Sequence, residues 1–272
     1  MARNNLRRPG QGAAVSIQLG TIDFLATQLL PHVKRRGSVV SLSRVSIFSP
    51  PAAVKRYLEA SGFHTWLDRV QWEGLDRRLN TRDLFLAFGF ERYDDIDIDA
   101  EEGCTITHDL NRPVPAELHG RYDLVLEMGT LEHIFDIRAV FESVIRMLKV
   151  GGVAFHFSPV DWFNHGFYNF SFTLFNDVYR VNGFDDMAFY IVAFPTQWET
   201  NQEIKFKQVD FTPQQMLLPP PPDKHLYMVS CIARKARELP SFQVPIQAVY
   251  DPALRLNTAL RPRGGPPPQA AP

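Results

Sequence analysis

The side chains best suited to moving a proton are His133 and His165. An imidazole titrates near pH 6.5, so either can act as a general base toward an oxygen or nitrogen nucleophile. His133 closes the run Leu131-Glu132-His133, whose plainer reading is a helix start with Glu132 favoured by the helix dipole. His165 lies in Asp161-Trp162-Phe163-Asn164-His165-Gly166-Phe167-Tyr168-Asn169-Phe170. There Phe163, Asn164 and Tyr168 mix polar groups with aromatic rings, the make-up of a small-molecule cavity. The same rings, with Phe172 and Phe175, also suit packing at the edge of a core. Carboxylates gather at Asp94, Asp95, Asp97 and Asp99, and Asp109 stands in His108-Asp109-Leu110-Asn111. The acidic run reads either as a ligand site or as a solvated turn. Asp109 reads either as a ligand or as an Asx-turn shaping the loop before Pro113.

Other chemistries lack their residues. There is no G-x-S-x-G elbow for a hydrolase and no G-x-x-x-x-G-K-[ST] phosphate loop. Histidines and acids do not recur at metal-ligand spacing, so no metal is expected. The formal net charge is -1, and basic runs such as Lys34-Arg35-Arg36 and Arg77-Arg78 are scattered, so no nucleic-acid partner is expected. No stretch approaches the roughly 20 apolar residues of a membrane span, and no apolar run of signal-peptide length follows the basic N-terminus. The two cysteines, Cys104 and Cys231, build no disulfide framework. A reduced, cytoplasmic setting is the expectation.

The elements that must position these groups follow from periodicity. Ile22, Leu25, Ala26 and Leu29 share a helical face, and Pro31 ends that helix. Ser38–Leu42 reads as a buried strand. A helix starts at Ser49-Pro50-Pro51 and runs to Ser61, stopping at Gly62. Residues 63–90 read as helical pieces, with Thr81 capping a short one that Gly89 ends, and as a lid or insertion. Asp95–Ile98, Cys104–Thr107 and Tyr122–Glu127 read as strands. Ile137, Val140, Phe141, Val144, Ile145 and Leu148 form one face of an amphipathic helix. Asp136 suits its N-cap, Lys149 its last turn and Gly151 its C-terminal cap. Val153–Phe157, Ala188–Ala193 and Leu226–Ile232 complete the strands, with a long excursion between the last two. The tails 1–14 and 260–272 read as disordered, and Pro219–Pro222 as a surface loop. One domain over 15–259 is expected, with 160–185 as an acceptor-pocket segment. Its fold is a doubly wound, Rossmann-like and mostly parallel α/β sheet with an antiparallel edge strand and helices on both faces.

The stretch from Tyr122 to Pro159 resembles the central signature of the class I S-adenosylmethionine-dependent methyltransferases. The motifs are Asp123-Leu124-Val125, the loop Glu127-Met128-Gly129-Thr130, Leu131-Glu132-His133 and Leu148-Lys149-Val150-Gly151-Gly152. A looser likeness covers residues 36–235. It implies S-adenosylmethionine as cofactor and methyl transfer to an oxygen or nitrogen of a small molecule. It also implies a ribose-binding carboxylate at Asp97, with Asp99 as rival, and an adenine contact at Asp109 flanked by Leu110. Glu127 and Gly129 would line the loop beside the methionine moiety, where a glycine permits close backbone approach. The first motif departs from the family: Ser41-Leu42-Ser43-Arg44-Val45 holds no glycine, so Ser41 and Ser43 stand where a glycine-rich turn is usual. That departure keeps a second reading alive, a catalytically inactive scaffold or partner subunit of the same fold. The oligomeric state is open, a homodimer among the options.

Overall fold

The computed structural model describes residues 17–72, 79–100, 103–195, 204–212 and 225–251. The expected tails, 1–14 and 260–272, and the loop Pro219–Pro222 lie outside the described residues. Eight strands form one sheet: β1 (Ser38–Leu42), β2 (Arg92–Asp97), β3 (Ile106–Thr107), β4 (Tyr122–Met128), β5 (Leu148–Pro159), β6 (Phe184–Pro195), β7 (Lys205–Val209) and β8 (His225–Lys235). Their order is β3-β2-β1-β4-β5-β8-β6-β7. The pairs β2–β3, β1–β2, β1–β4 and β4–β5 are parallel. β8 runs antiparallel to both β5 and β6, and β7 antiparallel to β6. The sheet is thus mostly parallel with an antiparallel edge, β7. A second antiparallel strand, β8, is threaded inside it.

The helices are α1 (Leu19–Phe24), α2 (Pro51–Ala60), α3 (Thr81–Ala87), α4 (Ile137–Met147) and α5 (Phe172–Val181). They cover both faces because successive side chains along each strand point to opposite sides. On β4, Leu124, Leu126 and Met128 enter one core, with α1, α2 and α3. Val125 enters the other, with α4 and α5. Every residue of β4 is buried. This central strand tolerates Asp123 because its carboxylate accepts from the Ser38 amide at 2.9 Å and from Lys149 Nζ at 2.7 Å. No helix among the described residues is long and apolar enough to cross a membrane.

Several boundaries differ from the sequence reading for local reasons. The α1 helix does not run to Pro31 in one geometry. It loosens into a π turn over Leu25–Leu29 and tightens into a 3₁₀ turn at Leu30–His32. Asn80, not Thr81, caps α3, and Asp83 completes a capping box. Pro50 stands at the N-cap of α2, one residue after Ser49, whose hydroxyl instead accepts from the Leu19 amide at 2.9 Å. Gly151 does not end α4, because that helix stops at Met147 and β5 begins at once. Gly151 has φ +85° where the β4–β5 register shifts, between the Tyr122–Leu148 and Leu124–Val153 pairs. Asp136 does cap α4, accepting from the Ala139 amide at 3.1 Å. The third strand shrinks to Ile106–Thr107, since Thr105 turns both its amide and its hydroxyl onto Asp95 at 2.7 Å. β7 lies in the excursion that the sequence left without a strand. In the described part of 63–90, Leu67, Val70, Leu84, Phe85, Phe88 and Phe90 are buried.

Candidate functional site

The chain leaves β1 in one direction to build β2 and β3, and β4 and β5 extend the sheet the other way. The carboxyl ends of β1 and β4 therefore flank a topological switch point, where open α/β sheets hold ligands.

The turn after β1 is tight without glycine. Ser43 adopts φ +66°, a conformation that costs a non-glycine residue roughly 1–2 kcal/mol. Two contacts hold it: its amide donates to Ile96 O at 2.7 Å, and its hydroxyl lies 2.6 Å from Thr130 Oγ1. Thr130 in turn donates to Leu42 O at 2.8 Å. Ser43 and Thr130 thus bridge the tips of β1 and β4. Ser41, two residues earlier, is fully buried within β1. The rest of the turn is anchored inward, with Val45 and Ile47 in the core and Val45 O accepting from Thr81 Oγ1.

Asp97 sits half-buried at the end of β2. Its carboxylate accepts only two long bonds, from the Arg44 and Asp99 amides at 3.3 Å each, and keeps lone pairs for a further donor. Asp94 and Asp95 differ from it. Asp94 is buried against Tyr122 Oη and Arg92, and Asp95 is spent on Thr105. The acidic run is therefore not one solvated turn. Next to Asp97, the His108 amide donates to Asp97 O at 2.9 Å, which sets the Asp109 loop beside the β2 tip. Asp109 is half-buried, and its Oδ1 accepts from the Asn111 amide at 3.0 Å, an Asx-turn, and from Asn111 Nδ2 at 2.9 Å. Those Asn111 bonds hold its carboxyl below the ordinary carboxylate value. Leu110 is buried in the second core, whereas Ile98, just past Asp97, is 70% exposed. The sequence reading ran the strand Asp95–Ile98, whereas β2 ends at Asp97 and leaves Ile98 bare beyond it.

The loop after β4 is organised from inside by Glu127. This carboxylate is fully buried, and its Oε1 accepts from the Thr130 amide at 2.8 Å and the Leu131 amide at 3.2 Å. Its Oε2 meets His156 Nδ1 at 3.0 Å and Ser158 Oγ at 2.8 Å. Glu127 therefore spends its bonds shaping the turn rather than facing the crevice. Burial alone would raise its pKa, but the His156 contact and the amide and hydroxyl donors outweigh it and the net direction is down. His156 Nε2 passes the network on to Tyr179 Oη. Gly129 sits in this turn with φ +72°, a left-handed conformation that glycine adopts without strain.

Immediately after comes a second acid in the opposite condition. Glu132 is fully buried, and among the described residues neither of its carboxylate oxygens has a hydrogen-bond partner, His165 Nε2 standing 3.5 Å from Oε1. Burial, and then the nearby Glu127 charge, push its pKa up to about 8. His133 does not open a long helix. It ends a 3₁₀ turn, Leu131–His133, and α4 begins only at Ile137. His133 and His165, distant in sequence, stack edge to face with ring centres 5.0 Å apart. Desolvation lowers both imidazole pKa values.

The segment after β5 folds back over Glu132. The Phe167 amide donates to Glu132 O at 2.7 Å, and Gly166 lies so close that a Cβ there would stand 2.6 Å from that oxygen. Asn164, at φ +55°, helps turn the chain. Tyr168 Oη donates to Phe135 O at 2.9 Å. The aromatic residues divide. Phe170, Phe172 and Phe175 are core, while Phe163, Phe167 and Phe135 form an exposed rim.

No family model and no curated sequence matches the chain. Two solved structures to which it is similar are described as S-adenosylmethionine-dependent methyltransferases. One, from Thermotoga maritima, is 13% identical, with 79% of this chain and 91% of that one covered and a TM-score of 0.42. Another, from Clostridium acetobutylicum, is 12% identical, with coverage of 82% and 93% and a TM-score of 0.36.

Proposed function

We propose that this chain binds S-adenosylmethionine at the carboxyl ends of β1 to β4 and transfers its methyl group to an oxygen or nitrogen of a small molecule. The observation that carries this reading is the pair of underused carboxylates, Asp97 at the tip of β2 and Asp109 in the loop after β3, on the β2 side of the switch point. That donor set fits an adenosine. Asp97 has lone pairs for two neighbouring ribose hydroxyls, Asp109 for an adenine amine, and bare Ile98 and buried Leu110 supply apolar surface for the ring. When bound, the cofactor supplies an already activated methyl on a sulfonium. The protein's task is then alignment and exclusion of water. Gly129 leaves backbone room beside the methionine moiety, and the Ser43–Thr130 bridge fixes the floor. Phe163, Asn164 and Tyr168 would line the acceptor side, with His133 or His165 accepting the acceptor's proton at a ring nitrogen. Two free cysteines fit a reduced, cytoplasmic setting.

One observation favours the alternative, an inactive scaffold of the same fold. The Ser43–Thr130 contact occupies the gap between β1 and β4 that a glycine turn would leave open. Calorimetric titration with S-adenosylmethionine and its demethylated product separates the two. The enzyme reading expects micromolar binding that weakens at least about tenfold, roughly 1.4 kcal/mol, in Asp97→Ala. No heat at millimolar ligand selects the scaffold.

A further inference from the structure

We propose that Glu132, His133 and His165 bind one divalent transition-metal ion of the zinc class at the mouth of the crevice. Among the described residues these three form a group whose ligating atoms all lie within 4.8 Å of one another. Glu132 Oε1 stands 3.5 Å from His165 Nε2 and 3.9 Å from His133 Nε2. Two imidazoles and a carboxylate bound at about 2.0–2.2 Å in tetrahedral geometry would lie roughly 3.3–3.5 Å apart. Small side-chain movements, mainly of half-exposed His133, close the difference.

A second observation points to the same ligand. Both Glu132 oxygens and His165 Nε2 are buried without a hydrogen-bond partner. A buried polar group left unpaired costs about 1–3 kcal/mol, and a charged one more. Glu132 Oε1 and His165 Nε2 lie beside each other and beside His133 Nε2, so one shared partner can serve all three residues. A Glu132–His165 ion pair would satisfy one oxygen at most and leave the other, with His133, unexplained. The pocket is also built rather than accidental. Gly166 and the Phe167 amide clamp the backbone of Glu132, and Trp162 packs its ring edge to face on His165 at 4.9 Å.

The ligand set selects the ion. Imidazole nitrogen with one carboxylate suits Zn²⁺, Co²⁺ or Fe²⁺, whereas Mg²⁺ and Ca²⁺ prefer oxygen alone. Three protein ligands leave at least one position open, as catalytic zinc sites do. Half-exposed His133 and the exposed rings of Phe135, Phe163 and Phe167 on the same segments leave solvent access, by which water or an oxygen or nitrogen of a small molecule can enter. A nitrogen that holds a cation has no lone pair for a proton, so ion binding and general-base duty exclude each other at the same atom.

The test uses the untagged full-length chain, stripped with chelator and titrated with Zn²⁺ by calorimetry and with Co²⁺ by visible absorption. We expect one ion per chain, a Co²⁺ ligand-field band and a higher melting temperature with Zn²⁺. Affinity should fall at least about tenfold in each of His133→Ala, His165→Ala and Glu132→Gln. His133→Ala removes a half-exposed side chain and Glu132→Gln keeps shape, so loss of fold does not mask the answer. Less than one ion per chain, or unchanged affinity in the two histidine variants, overturns the proposal. No cofactor enters the assay, so it leaves S-adenosylmethionine binding to the separate titration; a bound ion would exclude His133 Nε2 and His165 Nε2 as the base and leave cofactor binding untouched.

Discussion

Gly166→Ala tests whether the segment after β5 is truly seated on Glu132. The added Cβ would lie 2.6 Å from Glu132 O and 2.9 Å from Glu132 Cγ, whereas ordinary contact begins at 3.4 Å. The loop must retreat by about 0.8 Å, the difference between 3.4 and 2.6 Å. It cannot do so freely, because the next residue, Phe167, donates its amide to that same oxygen at 2.7 Å. Overpacking of this kind costs about 1–3 kcal/mol, and the weakened hydrogen bond about 1 kcal/mol more. A central value of roughly 3 kcal/mol corresponds to a fall of about 9 °C in melting temperature for a chain of this size. Gly120→Ala is the control: φ is +61° but nothing lies within 4 Å, so only backbone strain of about 1–2 kcal/mol applies. Circular dichroism melts, with urea titration as a check, read both. If Gly166→Ala melts within about 2 °C of the parent, or no lower than Gly120→Ala, the loop does not press on Glu132 and the clamp is refuted.

Glu127→Gln should destabilise by about 3–5 kcal/mol in urea titration, since one buried acceptor set for two amides, a hydroxyl and an imidazole is broken. The sign of its pH effect follows from a depressed folded-state pKa. The stability it contributes is present above the unfolded value, near 4.3, and drains away as pH falls through the folded value. Urea midpoints of the parent should therefore drop with acid in that window, and the Glu127→Gln midpoints should drop less. Lys235→Met should cost about 2–4 kcal/mol, because the buried ammonium donates to Ile145 O at 2.7 Å and Leu148 O at 2.8 Å where α4 gives way to β5. A neutral outcome in denaturant unfolding would mean that those carbonyls find other donors.

The sheet was largely legible because its signals are local. Buried strands such as Ser38–Leu42 and Tyr122–Glu127 are apolar runs, and the amphipathic face from Ile137 to Leu148 fixes a helix between two strands. What was misread depends on partners. Gly151 looks like a helix cap from one side, but the strand pairing of Leu148 with Tyr122 claims the chain first. Thr105 has the composition of a strand residue, yet Asp95 captures both its donors and cuts the strand short. The site suffered most. Spacing along the chain separates His133 from His165, and only the return of the Gly166 loop onto Glu132 brings them together. Glu127 carried a motif position but no mark that its bonds would turn inward.

Glu127 and Glu132 together explain why this loop is rigid and yet incomplete. Both are fully buried carboxyl groups on the same short connection after β4. Glu127 has donors from two backbone amides, a serine and a histidine, so it can stay ionised. That charge, beside Glu132, makes ionisation of the second acid harder. A fold selected for stability alone would relieve Glu132 with a neighbouring donor or replace it with an apolar residue, since a buried unpaired acid is costly. Instead the chain invests a glycine, a backbone clamp and two histidines in enclosing it. The adjoining, well-partnered acid holds the loop in shape without the second one's help. Glu132 is then free to serve something that arrives from outside the chain, and a doubly charged cation is the partner that would answer both its missing contacts and the repulsion from Glu127.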